Sequence, residues 1–138
     1  MAYWLFKEEP DHYSFADLQR DGKALWNGVK NPLARKHLRS VRKGDRVLYY
    51  HTGKEKAIVG EMKAADDAKP DPNDSDPNGV VIVVVPERAF DSPVPLSAIK
   101  QDPEFADWEL VRLPRLSVMP VTPAQWRRIE TLSKDSRD

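Results

Sequence analysis

Six consecutive β-favouring apolar residues, Val80-Val81-Ile82-Val83-Val84-Val85, constrain this chain more than any other feature. The run is too short for a helix of its own and places no charge where water could take it. It predicts a central strand, buried on both faces or nearly so and stopped by Pro86. A central strand needs partners, and the chain supplies them. Ala2–Lys7 is rich in aromatic and apolar residues and ends at Glu8-Glu9-Pro10, which reads as a strand closed by a turn. Residues 47–52 and 57–62 are β-prone and flank Gly53-Lys54-Glu55-Lys56, the pattern of a hairpin with a loop of about four residues. Residues 115–121 supply a further short strand.

Helix signals lie between these strands. Ser14 with Asp17 forms a capping box ahead of Phe15 and Leu18, and Gly22 follows as a stop. Asn31 caps and Pro32 opens a helix whose inner stripe is Leu33, Ala34, His37, Leu38 and Val41, ending at Gly44. Residues 95–100 suit one or two helical turns. Thr122-Pro123-Ala124-Gln125 starts a last helix, with Trp126, Ile129 and Leu132 turned inward. Residues 133–138 are polar and read as a frayed end. The fold class is α+β: about five or six strands, partly as hairpins, with helices at the edges. A small mixed sheet of this kind curls toward a barrel, which removes exposed edges.

At 138 residues the chain fits one domain able to bury a core without staples. It has no cysteine, which excludes disulfides, thiolate metal sites and a cysteine nucleophile. The longest apolar run falls far below the roughly 18–20 residues of a membrane span. The first seven residues lack the pattern of a signal peptide, so a cytoplasmic location is expected. Net charge is zero, so overall charge does not point to nucleic acid. The charge is unevenly placed, however. Residues 30–46 hold seven basic side chains and one acid, whereas 61–79 hold six acids and two lysines.

Few chemical motifs survive inspection. Asp74-Ser75-Asp76-Pro77-Asn78-Gly79 matches the opening of a calcium loop, but the twelfth position is Val85 rather than a bidentate Glu. His12, His37 and His51 sit in no zinc spacing. There is no P-loop, nucleophile elbow or zincin motif. Glu8 and Glu9 are adjacent, so on a strand their carboxylates face opposite sides and make a poor acid–base pair. His51 is either a base or a structural residue ending a strand.

The remaining signal is aromatic residues beside a basic helix. Trp26, in the turn Trp26-Asn27-Gly28-Val29-Lys30-Asn31, is either a core plug or a platform on which a base stacks. Asn31 either only caps its helix or also reads a base edge with its amide. Arg35, Lys36 and Arg39 form either a solvated face or a phosphate-binding footprint.

These residues resemble the EVE domain family. The resemblance rests on Trp4-Leu5-Phe6-Lys7-Glu8-Glu9-Pro10, Tyr13-Ser14, Trp26 to Asn31, Ala34-Arg35 and Gly44-Asp45, then on Tyr50-His51-Thr52 and Ile58-Val59-Gly60-Glu61. It ends with Leu110-Val111-Arg112, Arg115 to Val121 and Trp126. The motifs run in family order from residue 4 to residue 126. The resemblance implies a PUA-like β-barrel and a non-catalytic reader of modified nucleobases, chiefly modified cytosine in DNA, with RNA as second choice. Carried over by position, Trp26 walls the base pocket, and Val29, Lys30 and Asn31 belong to the same turn. Lys7 and Glu8 edge the pocket. Tyr50-His51-Thr52 and Leu116-Ser117-Val118 supply its floor and far side. Two positions depart from the family pattern: Glu8 replaces the usual small hydroxyl residue, and Lys30 replaces the usual Arg.

The expectation is therefore one domain over residues 1–138. It acts as a monomer and binds nucleic acid through a flipped or unpaired modified base, with no metal, no cofactor and no membrane. The runner-up is a small nuclease or base-processing enzyme using His51 and Lys7. A third reading is a protein-interaction module that binds no nucleic acid.

Overall fold

The computed structural model describes residues 1–134. In chain order its strands are β1 (Tyr3–Glu8), β2 (Ala24–Trp26), β3 (Arg46–His51), β4 (Ala57–Ala64), β5 (Lys69–Pro70), β6 (Val80–Pro95) and β7 (Val118–Val121). The α-helices are α1 (Phe15–Asp21), α2 (Pro32–Arg39), α3 (Leu96–Gln101), α4 (Glu109–Arg112) and α5 (Pro123–Ser133). The sheet runs in the order β2-β6-β4-β3-β1-β7, with β5 clipped to the start of β6. It is a curled half-barrel with the helices at its periphery.

The Val80–Val85 run is central, between β2 and β4, but two expectations about it are corrected. Its burial alternates: Val80, Ile82 and Val84 are in the core, whereas Val81, Val83 and Val85 are only half-covered. Nor does Pro86 stop it, since the strand continues to Pro95. The pairing with β4 slips between Glu61↔Arg88 and Met62↔Pro86. A bulge is where a strand tolerates a residue with no N–H to give to the ladder. Trp26, expected in a turn, instead ends the short strand β2, since three residues ahead of Asn-Gly carry too little alternation to register.

β1 pairs parallel to β3 and antiparallel to β7, which places it inside the sheet. The β3–β4 hairpin forms as read. The three side-chain caps also form: Ser14 with Asp17, Asn31 with Pro32 following, and Thr122 with Gln125. Helix α2 ends earlier than read, at Arg39, and Gly44 occupies a left-handed turn (φ 90°) beyond it. One glycine is required by packing. A Cβ on Gly60 would lie 2.7 Å from the Phe15 ring and 2.9 Å from the Arg88 carbonyl oxygen, so only glycine lets α1 close on β4.

Asp45, in the turn after α2, is a buried hub. Its Oδ1 accepts from the Ala2 N–H (3.0 Å), and its Oδ2 accepts from Trp4 Nε1 and the Arg42 N–H (both 2.9 Å). It ties the entry of β1 to the turn that feeds β3.

Candidate nucleic-acid interface

The ends of β1 and β2 meet α1 around a cavity of about 350 Å³. Its lining includes Glu8, His12, Tyr13, Lys23, Trp26 and Asn27. Trp26 lines the cavity together with Tyr13, but it is no loose ring at a turn. It ends β2, is 6% exposed, and packs tilted on Phe6 and edge-on to Tyr49, each at 5.4 Å between ring centres. The core-plug alternative for Trp26 therefore holds, and the residue also lines the cavity.

Glu8 ends β1, and its Oε2 is fully engaged. It accepts from the Glu9 N–H (3.0 Å) and is bonded to His12 Nδ1 (2.9 Å). Among the described residues no donor meets its Oε1. The hydrogen bond from His12 and the charge of Glu8 raise the His12 pKa above its usual value. Tyr13 donates to Asp21 (2.8 Å), and its own carbonyl accepts from the Tyr49 hydroxyl. Burial, then the bond to Asp21, pushes the Tyr13 phenol up to about 12. A phenol raised from about 10 to about 12 adds stability that is complete below pH 10 and is lost as pH rises through 12. In an absorbance titration, Tyr13→Phe should remove a tyrosinate step near pH 12. It should also flatten the alkaline loss of stability above pH 10.

The other candidate residues are dispersed. Lys7 projects away from Glu8, as alternation along a strand requires. Its Nζ donates to the Pro114 carbonyl (2.9 Å) and lies 5.4 Å from the Tyr50 ring centre. Burial lowers its pKa. Asn31 and Leu116 line a separate groove of about 350 Å³ with Leu33, Leu113 and Pro114. Asn31 Oδ1 caps Ala34 N–H (3.0 Å), so the capping role is met, but Asn31 does not share the cavity of Trp26. Val29 packs half-buried on the core, and Lys30 is exposed. Tyr50 and Val118 are core residues, and Ser117 contributes its carbonyl to the Lys7 N–H. The Thr52 hydroxyl donates to Glu9 Oε2 (3.3 Å).

Two assignments are corrected outright. Arg35 is not on the solvated face: it is 8% exposed, with Nε donating to the Val29 carbonyl (2.7 Å) and Nη1 paired with Asp76 (2.9 Å). It staples the acidic loop that carries Asp76 to α2, and its burial leaves little of the guanidinium open to a phosphate. Lys36 and Arg39 are exposed. His51 likewise has no free nitrogen. Its Nε2 accepts from the Phe15 N–H (3.0 Å), which places the proton on Nδ1, and Nδ1 donates to Glu55 (2.7 Å). A base needs an available lone pair, and this one is committed. The calcium-like loop is similarly occupied. Asp76 pairs with Arg35, and Asp74 accepts from the Asp76 N–H (2.9 Å).

Sequence reasoning missed His12, Lys23 and Asn27 as cavity residues. Asn27 adjoins Trp26 and was within reach. His12 and Lys23 arrive through the turn after β1 and the entry to β2, whose positions depend on tertiary closure.

The chain is similar to several known proteins. The EVE domain matches residues 2–132. Mouse thymocyte nuclear protein 1 is 38% identical over 81 residues, covering 50% of this chain and 36% of that protein, so the match spans about a third of the relative. A Pseudomonas syringae protein of solved structure is 38% identical, with TM-score 0.89 over 96% of this chain and 99% of that one. Human THYN1, solved in complex with DNA containing 5-methylcytosine, is 25% identical, with TM-score 0.89 over 99% of each chain. The half-barrel is thus the PUA-like arrangement of these neighbours, and the chain belongs to the EVE domain family.

Proposed function

We propose that this chain is a non-catalytic nucleic-acid reader that admits one unpaired or flipped modified cytosine, in DNA rather than RNA, into the cavity walled by Trp26. The observation that carries this is the cavity itself. It joins a rigid aromatic face to polar groups at the edge where a base would sit, from Glu8, His12, Lys23 and Asn27. Stacking on such a face is worth about 1–3 kcal/mol per base, which offsets part of the few kcal/mol that flipping costs. The DNA complex of human THYN1 supports the choice of polymer and base. Engagement of both His51 nitrogens supports a binding role over a catalytic one. No metal or cofactor enters this reading, and a monomer suffices for it.

The phosphate contacts are assigned to Lys30, Lys36 and Arg39, all exposed beside the Trp26–Asn31 turn or on α2. The test is a fluorescence-anisotropy titration with oligonucleotides carrying cytosine or 5-methylcytosine, single-stranded and duplex, DNA and RNA, at several salt concentrations. Binding should favour the methylated DNA. The double variant Lys36→Gln/Arg39→Gln should bind more weakly regardless of base, with a salt slope smaller by about one unit per lost phosphate contact. Binding without salt dependence or base preference overturns the reading. Cleavage or base conversion of the labelled strand restores the enzymatic alternative.

A further inference from the structure

We infer that Glu8 is a specificity-determining residue that selects an amino-bearing base, of the cytosine or adenine class, and rejects thymine and uracil; this rests on the base-cavity reading above. The Glu8 carboxylate lines the cavity beside Trp26 and is about a quarter exposed. Its Oε2 is saturated by the Glu9 N–H and His12 Nδ1, whereas its Oε1 meets no donor among the described residues. An ionised carboxylate is an acceptor only. A stacked base must therefore present a donor at that point.

The neighbours fix the rest of the pattern. Lys23 and Asn27 line the same cavity and bring N–H donors, whereas the Asp21 carboxylate, also in the lining, already accepts from the Tyr13 hydroxyl and the Arg20 guanidinium. One acceptor beside donors complements an exocyclic amino group next to a ring nitrogen acceptor, the pattern shared by cytosine and adenine. Thymine and uracil put a carbonyl oxygen where the amino group would be, facing the carboxylate. Guanine would use both carboxylate oxygens through its adjacent N–H donors, but Oε2 is already taken. A site built to hydrogen-bond one edge rejects an analogue that leaves its polar groups unpaired.

The discriminating pair is 5-methylcytosine against thymine in one oligonucleotide, because both carry the methyl group and differ at the amino edge. The unaltered protein should bind the 5-methylcytosine strand roughly ten-fold or more tightly than the thymine strand, on the scale of one base-edge contact. In Glu8→Gln, whose amide can turn a donor toward a carbonyl, the gap should fall to within about three-fold. Glu8→Ser should also lose the preference, and thermal melts of both variants confirm that they fold. If the unaltered protein binds the two strands equally, or if Glu8→Gln keeps the full preference, Glu8 does not select the base, although the base cavity stands. If neither strand binds, the base-cavity reading fails and this inference fails with it.

Discussion

Trp26→Ala should cost about 3–5 kcal/mol of stability, the range for deleting a large buried aromatic side chain. Globular domains hold only about 5–15 kcal/mol in all, so this single change should leave a large unfolded fraction at moderate temperature. The reason is geometric. Trp26 ends the edge strand β2, whose three residues pair with Val84, Val83 and Ile82 of β6. Its ring fills the angle between Phe6 and Tyr49, from two other strands. Removing it opens a void against three strands that cannot all collapse inward. Urea melts should show a lower midpoint with a similar slope. Trp26→Phe should lose much less stability, because a ring still bridges Phe6 and Tyr49. It should nonetheless bind the modified-base oligonucleotide more weakly, having less stacking face to offer. That split separates core from cavity: alanine tests the fold, and phenylalanine tests the site. Normal stability of Trp26→Ala would mean that the ring is not the plug its packing describes.

What was legible in the sequence followed short-range chemistry. Caps, the β3–β4 hairpin and the apolar centre of β6 are written in residues a few positions apart, and they form where local signals put them. Family-order motifs carried the fold class further than periodicity alone could. The failures share another cause. The burial of Arg35 depends on Asp76, forty-one positions away, and a guanidinium on a basic helix gives no local sign that an acidic loop will fold over it. The strand through Pro86 depends on a bulge that only the β4 pairing defines. The candidate site divided for the same reason. Lys7 and Glu8 are neighbours in sequence, yet strand alternation sends one to the Pro114 carbonyl and the other to the cavity of Trp26. Asn31 and Trp26 are five residues apart, yet the turn between them carries Asn31 to another groove.

Asp45→Ala should be the second strongly destabilising change, although it removes no apolar packing and breaks no ion pair shown among the described residues. Asp45 is 3% exposed and accepts three hydrogen bonds from groups separated widely in the chain: the Ala2 N–H, the Trp4 indole and the Arg42 N–H. Hydrogen bonds to a charged acceptor are worth more than neutral ones, and a buried donor left without a partner costs about 1–3 kcal/mol. Two of these donors lie outside the strands, in the chain entering β1 and the turn after α2, where only a few backbone bonds, such as Arg46 N–H to the Ala2 carbonyl and Gly44 N–H to the Ala64 carbonyl, act beside them. The loss in Asp45→Ala should reach roughly 3 kcal/mol. Asp45→Asn is the sharper test. It keeps the volume and one oxygen but turns an NH₂ group toward donors, so at least one contact becomes donor against donor. It should lose about 2 kcal/mol, less than alanine but far more than a neutral surface change. Hydrogen exchange should accelerate at the Arg42 amide in both variants ahead of the β3–β4 hairpin, because the hub restrains the turn while the hairpin retains its own ladder. Indole fluorescence should report a loosened Trp4 environment at the same time. If Asp45→Asn melts with the unaltered protein, the three contacts do not hold β1 to the turn, and the parallel β1–β3 pairing suffices by itself.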